Sequence, residues 1–339
     1  MMRNYLHILL LIIGMSPWAF CHAEDECHFT DGGPATVDYN NIDLGVALGQ
    51  NTPVGTVVYD SYQESSKSGN AACTGNALDY AEGYATLPSP AVGGSDPCLY
   101  TLPLADGTES GLGIKIYYQL GGSGAPNKYC LKYPLSHKSP QFVSKFTAEG
   151  SFRIVVQVIG QLHSGTVAFS RFSGNGIWWN GLLAFEITFT DTFLDVKALT
   201  CDINTPEIPV SLTAASGISM ESTFKGINST STPVDFTIDL TCDKDVNVAV
   251  RFEGDTQSGS NNQVLKLTEQ DNSATGIGIQ ILDKDKNIMS FNQPDFALQA
   301  SNVQQSQVSL PFSARYIQTS SQVTGGKADA EATFFLAFP

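Results

Sequence analysis

Residues able to do chemistry are confined to a few short segments of this chain, and most of them break the pattern they approach. Asp79 and Glu82 form a loose pair of carboxylates of the kind glycoside hydrolysis uses as acid and base. Gly121-Gly-Ser123-Gly-Ala125 comes near a nucleophile elbow, but Ala125 stands where the last glycine belongs and no strand-to-helix pattern surrounds it, so it reads as a flexible loop. Gly111-Leu-Gly113 and Gly276-Ile-Gly278 lack the third glycine of a dinucleotide fingerprint and continue as alternating strands. Asp283-Lys-Asp285-Lys-Asn287 has the first spacings of a calcium loop, yet Ile288 replaces the sharp-turn glycine and Pro294 the bidentate glutamate. Beyond residue 23 the histidines are His28, His137 and His163, too far apart in sequence to read as a zinc site. The expectation is a protein without catalysis, cofactor or bound metal.

Binding chemistry is better represented. A sugar site needs aromatic platforms for C–H faces and short polar side chains for the ring hydroxyls. Two segments supply both: Asn76 to Tyr84, with Asp79, Tyr80, Glu82 and Tyr84, and Asn175 to Asn180, with Trp178, Trp179 and Asn180. The bland alternative is that one tryptophan of an adjacent pair faces the core and that tyrosines near a cysteine merely pack. Asp60 to Gly69, rich in serine and carrying Tyr62, is a third candidate.

These segments must be positioned by an exported, β-rich chain. Residues 1–23, with Arg3, an apolar run from Leu6 to Met15 and a small residue at Ala23, have the three parts of a secretory signal peptide. Its removal leaves Cys27, Cys73, Cys98, Cys130, Cys201 and Cys242, an even set in an oxidising compartment, so disulfides are expected. Six cysteines allow about 15 connectivities; sequential pairing (27 with 73, 98 with 130, 201 with 242) keeps each bridge within one domain. The formal charge is −15, and no run of lysine or arginine interrupts it, which argues against nucleic acid or anionic membrane as partners.

Alternating strands are expected at 55–59, 113–120, 152–159, 166–172 and 182–189, then at 236–242, 246–253, 264–268, 276–282 and 307–316, with no long amphipathic helix between them. Asn180-Gly181 between Trp179 and Leu182 is a type I′ hairpin signal. The last strand carries Ala332, Phe334, Leu336 and Phe338 on one face, and no further segment is there to cover its far edge. The pattern points to an all-β chain of two β-sandwich domains, 24–197 and 198–339, with the boundary near Val196 to Leu199.

From Cys201 onward the pieces Ile208-Pro-Val-Ser-Leu, Phe236-Thr-Ile-Asp-Leu-Thr-Cys242, Val246 to Gly254, Gly276 to Asp283, Leu310 to Tyr316 and Gly325 to Phe334 follow one another as they do in the pilin domains of chaperone-usher fimbriae, which the segment resembles. Phe338 stands where that family commonly has a penultimate tyrosine. The resemblance implies an incomplete immunoglobulin-like sandwich lacking its last strand, with Ile238, Leu240, Phe334, Leu336 and Phe338 lining the groove into which a periplasmic chaperone, and later an adjacent fimbrial subunit, lends a strand after delivery to an outer-membrane usher. Pilins carry their own donor extension ahead of the first cysteine. Here that place holds a folded-looking segment, similar through Cys27, Cys98-Leu-Tyr and Gly111 to Tyr118 to the lectin-like domain of two-domain tip adhesins. The implied protein is a fimbrial tip adhesin at the cell surface, exported through the periplasm, binding a host-cell glycan or protein receptor. Alternatives are a structural minor fimbrial subunit and a secreted β-sandwich glycoside hydrolase.

Overall fold

A computed structural model describes residues 26–339 except 41–42, 66–68, 75–78, 95, 122–123, 139–144 and 214–216. The expected signal segment 1–23, Ser123 of the near-elbow, Asn76 and residues 66–68 of the third candidate segment lie outside the described residues. Those described are almost entirely strand and loop; helix is confined to the four residues Met220–Thr223 and a 3-10 turn at Ser170–Phe172.

Two hydrophobic cores form. The first draws on residues from Ala35 to Val196, the second on residues from Leu199 to Phe338. Around the first core, a five-stranded sheet ordered Ser136–Lys138, Tyr80–Gly83, Asn175–Trp179, Leu182–Thr190, Ala35–Asn40 faces a sheet ordered Val57–Glu64, Gly150–Val158, Leu112–Leu120, Tyr100–Leu102. Alternation explains the packing: Phe152, Ile154, Val156 and Val158 point inward from one sheet, and Ile177, Phe185 and Ile187 from the other. The rings of Phe152 and Phe185 stack across the gap at 4.4 Å. Tyr39 is fully buried and its hydroxyl donates to the carbonyl of Phe152 at 2.9 Å, so the one polar atom it brings into the core is satisfied.

Around the second core, the sheet Cys201–Ile203, Val234–Cys242, Gln307–Gln318, Ile277–Leu282 packs on the sheet Ala297–Ala300, Val248–Glu253, Thr333–Ala337. Phe252 on one sheet meets Phe312 on the other edge-on at 5.3 Å. Disulfides close Cys27–Cys73, Cys98–Cys130 and Cys201–Cys242; the last ties two directly paired residues of adjacent strands.

Two strand expectations change, at 166–172 and 264–268. The segment from Thr166 ends as strand at Ala168, because Ser170–Phe172 turns to bury Phe172. Residues 264–268 form only isolated bridges, Leu265 reaching Thr256 and Ile279. Val196 to Leu199, expected as a boundary, is the end of the continuous strand Phe193–Leu199, which pairs in parallel with Asp43–Gly49. At this strand's end the two cores meet. Gln50 N–H donates to Leu199 O at 2.9 Å, Asn51 N–H to Phe338 O at 2.9 Å, and Phe338 N–H to Asn51 Oδ1 at 3.1 Å. Gly49 permits this approach, since a Cβ there would sit 2.0 Å from Phe338 O.

Candidate functional sites

The two segments singled out for binding, about a hundred positions apart in sequence, are neighbours in one sheet. Tyr80–Gly83 pairs with Asn175–Trp179 in the register Tyr80 to Trp179, Ala81 to Trp178 and Glu82 to Ile177, and Ser136–Lys138 closes its other side with His137 opposite Ala81 and Lys138 opposite Tyr80. The hairpin after Trp179 is built as its dipeptide demands: Asn180 and Gly181 both take positive φ, 44° and 77°. Asn180 then reaches across, its N–H donating to Asp79 O at 2.8 Å while its Oδ1 accepts from Asp79 N–H.

Strand alternation sorts the candidates onto two faces. On the outer face lie Ala81, Trp178 and His137, and the His137 Nδ1 sits 3.0 Å from both Asp79 carboxylate oxygens. Ala81 is only 3 % exposed although it faces outward, in keeping with the tryptophan and histidine on either side of it. On the inner face Tyr80, Glu82 and Tyr84 run progressively deeper. The Tyr80 ring lies 6.5 Å from Trp179, which in turn meets Phe146 edge-on at 3.7 Å. Glu82 is 12 % exposed and accepts hydrogen bonds from the hydroxyls of Tyr80, at 3.0 Å, and Tyr118, while Lys138 Nζ pairs with its other oxygen at 2.7 Å. Burial first, and then the Glu82 carboxylate, push both phenols well above the ordinary tyrosine range, so they stay protonated donors.

Tyr84 does not belong to a surface site. It is fully buried against Tyr100 and Phe172, with ring centroids at 5.1 and 6.0 Å, and burial raises its pKa. Its hydroxyl has no hydrogen-bond partner among the described residues. The Asp79–Glu82 pair also fails as acid and base: three residues apart on extended backbone, the two carboxylates fall on opposite faces and cannot flank one bond. Tyr62, from the third candidate segment, is exposed on the strand Val57–Glu64.

The apparent calcium loop is a self-satisfied turn. Asp283 Oδ1 accepts from the N–H groups of Asp285 at 2.9 Å and Asn287 at 2.8 Å, and its Oδ2 from the Asn287 amide at 3.0 Å. Asn287 closes the turn where a metal ligand would have to open outward.

The second site is a groove in the C-terminal sandwich. Its volume is about 590 Å³; one wall runs from Ile203 to Leu212, the other from Ala330 to Phe334, and Phe236, Phe252, Ile279 and Ile281 lie between them. The strand Thr333–Ala337 pairs only with Val248–Glu253, so its edge toward the groove has no ladder partner among the described strands. Phe334, opposite Phe252, and Leu336, opposite Val250, are half-buried on the inner face, while Phe338 is buried at the junction with Asn51. Ile238 and Leu240 share the inward face of Phe236 but are fully buried, so they belong to the closed core and Phe236 supplies the groove wall in their place.

Residues 187–338 match the fimbrial protein family. The uncharacterized fimbrial-like protein SfmA of Escherichia coli K12 is 35 % identical over 120 residues, 34 % of this chain and 66 % of that protein. The fimbrial subunit type 1 of Salmonella typhimurium is 36 % identical over 120 residues, 34 % of this chain and 64 % of its own length. The chain thus spans just under two thirds of these relatives. Among solved structures, the CupB6 tip adhesin of Pseudomonas aeruginosa aligns over 91 % of this chain and 94 % of its own at 16 % identity and a TM-score of 0.35.

Proposed function

We propose, from the match of residues 187–338 to the fimbrial protein family, that this is a two-domain, non-enzymatic fimbrial adhesin. Residues 24–197 bind a receptor on a host surface, and residues 198–339 anchor them by accepting a strand from another polypeptide. The observation that carries the reading is the apolar groove of about 590 Å³ beside a strand paired on one side only. An edge of this kind, with apolar side chains below it, fits an added strand that alternates apolar and polar residues. A periplasmic chaperone fills it first and an adjacent subunit afterwards, with an outer-membrane usher handing the chain from one to the other. Ahead of Cys201 the chain folds around its own core where a pilin would carry its donor extension, which favours a place at the fibre tip.

The receptor surface proposed is the end of the N-terminal sandwich built by Tyr80–Gly83, Asn175–Trp179 and Ser136–Lys138, with Asp79, Trp178 and Asn180 toward its outer face and Tyr80, Glu82 and Trp179 toward its inner face. Trp178 supplies an outward aromatic surface, and Asp79, Asn180 and His137 polar groups beside it, the combination a glycan requires. Two measurements test this. Expressed without a chaperone, the protein is expected to be only marginally stable and prone to aggregation or degradation, and a donor-strand peptide to rescue it; a chain no more stable with the peptide than without it refutes the acceptor role. Deleting residues 24–197 is expected to abolish attachment to cells while fibres still form; unchanged attachment favours a structural subunit.

A further inference from the structure

Charge is distributed unevenly in this acidic chain. Between Ser110 and Ala148 there are Lys115, Lys128, Lys132, Lys138 and Lys145 and no aspartate or glutamate, against a formal charge of −15 overall. The fold gathers part of this segment at one aromatic surface. The Tyr129 ring, 48 % exposed, has Lys128 Nζ at 5.1 Å and Lys138 Nζ at 5.4 Å from its centroid, and the Lys138 ammonium lies equally 5.4 Å from the Tyr80 ring. Tyr118 backs the platform, 6.1 Å from Tyr129.

The carboxylate that pairs with Lys138 is already committed. Glu82 is 12 % exposed and takes up two phenol hydroxyls together with Lys138, so it presents little negative charge to solvent. Lys115 is paired with Asp96 at 2.8 Å, whereas Lys128 has no carboxylate partner among the described residues. What reaches the surface is an exposed phenol ring flanked by the Lys128 ammonium and by the Lys138 ammonium, which is shared with Glu82 but 47 % exposed. An aromatic face takes the C–H face of a pyranose, and an ammonium takes an anionic ring substituent. The acidic surface elsewhere repels an anionic ligand, which concentrates it on this patch.

We propose that the ligand of the N-terminal sandwich is an anionic saccharide, bearing carboxylate or sulfate, stacked on Tyr129 with Lys128 and Lys138 at its charged group. This rests on the adhesin reading and names the chemistry of its receptor. The test uses the full mature chain, its groove filled by a donor-strand peptide, passed over immobilised heparin (sulfate), polysialic acid (carboxylate), the neutral glycans dextran and mannan, a poly-glutamate control, and cultured host cells. Retention on heparin or polysialic acid is expected, weakening steeply with salt. Lys128→Glu and Tyr129→Ala should each weaken it tenfold or more with the thermal unfolding transition unchanged. Lys138 is left alone because it is tied to Glu82. Whichever polyanion binds identifies the substituent. Retention on neutral glycans alone, or retention indifferent to Lys128→Glu, overturns the inference and leaves the adhesin reading intact. Equal retention on poly-glutamate overturns the saccharide assignment. Failure to bind any glycan or any cell sinks both.

Discussion

A single carboxylate placed in the groove should separate strand acceptance from folding. Ala332 is half-buried on the groove wall, two residues before Phe334 and on the same face. In the empty groove an aspartate at 332 can still reach water, so Ala332→Asp should cost the free protein only about 1 kcal/mol. Beneath an added strand the same carboxylate is cut off from water with no cation on the groove walls to pair it, a cost of several kcal/mol. The gain it cancels follows from linkage: a peptide alternating valine or isoleucine with threonine or asparagine, supplied at a hundredfold excess over its Kd, stabilises the native state by about 2.7 kcal/mol. For a sandwich of this size that is roughly 10 °C in Tm.

The assay is calorimetry with and without peptide, because residues 198–339 contain no tryptophan and fluorescence would follow only the N-terminal sandwich. The unsubstituted protein should gain roughly 10 °C in the transition of its C-terminal sandwich, and Ala332→Asp almost none. A gain of equal size in both proteins, or with a scrambled peptide, would show that the peptide does not enter between residues 203–212 and 330–334.

Three further outcomes follow from local geometry. Gly181 has φ 77°, so Gly181→Ala should destabilise the N-terminal sandwich by about 1 kcal/mol, read by denaturant unfolding through the fluorescence of Trp178 and Trp179. Gly49→Ala pushes a methyl group onto Phe338 O and should open the junction; the expected signature is faster hydrogen exchange at the Asn51 amide, and unchanged protection would contradict it. The Arg153 guanidinium, hydrogen-bonded to Asp60 at 2.7 and 2.5 Å, holds that carboxyl below the usual range against a smaller opposing effect of burial. A depressed carboxylate adds stability above its unfolded pKa, about 3.9, that is lost as pH falls through the folded value. Arg153→Gln should therefore be less stable than the parent at neutral pH and lose less on acidification below about pH 4.

What could be read from the residues alone was whatever a strand records in its own alternation. The strands at 113–120, 182–189 and 276–282 each carry enough apolar residues to declare a period of two, and Asn180-Gly181 declares its own turn; their observed bounds differ by a residue or two. Tyr80–Gly83 and Ser136–Lys138 declare nothing. They are four and three residues long, with a glycine in one and no apolar residue in the other, and they are strands because each is held by a neighbour distant in sequence. Residues 264–268 show the converse, since Val264, Leu265 and Leu267 are all buried although only isolated bridges form there.

The same limit governed the sites. Asp79 to Tyr84 and Trp178 to Asn180 could be found by type, because aromatic and short polar residues adjacent in sequence are visible there. That Tyr80, Glu82 and Tyr84 descend from half-exposed to fully buried, the last just beyond the end of the strand Tyr80–Gly83, depends on what the fold packs against each of them. The lysines are the sharper case. Lys128 and Lys138, ten positions apart, form no run, so nothing in their spacing marks them as neighbours. Only the pairing of Ser136–Lys138 with Tyr80–Gly83, and of Tyr129–Cys130 with Leu112–Leu120, sets both ammonium groups against one tyrosine ring. The sequence shows that residues 110–148 carry five lysines and no carboxylate, but which of those ammonium groups meet at one ring, and so where the local field turns positive, is decided by strand pairing alone.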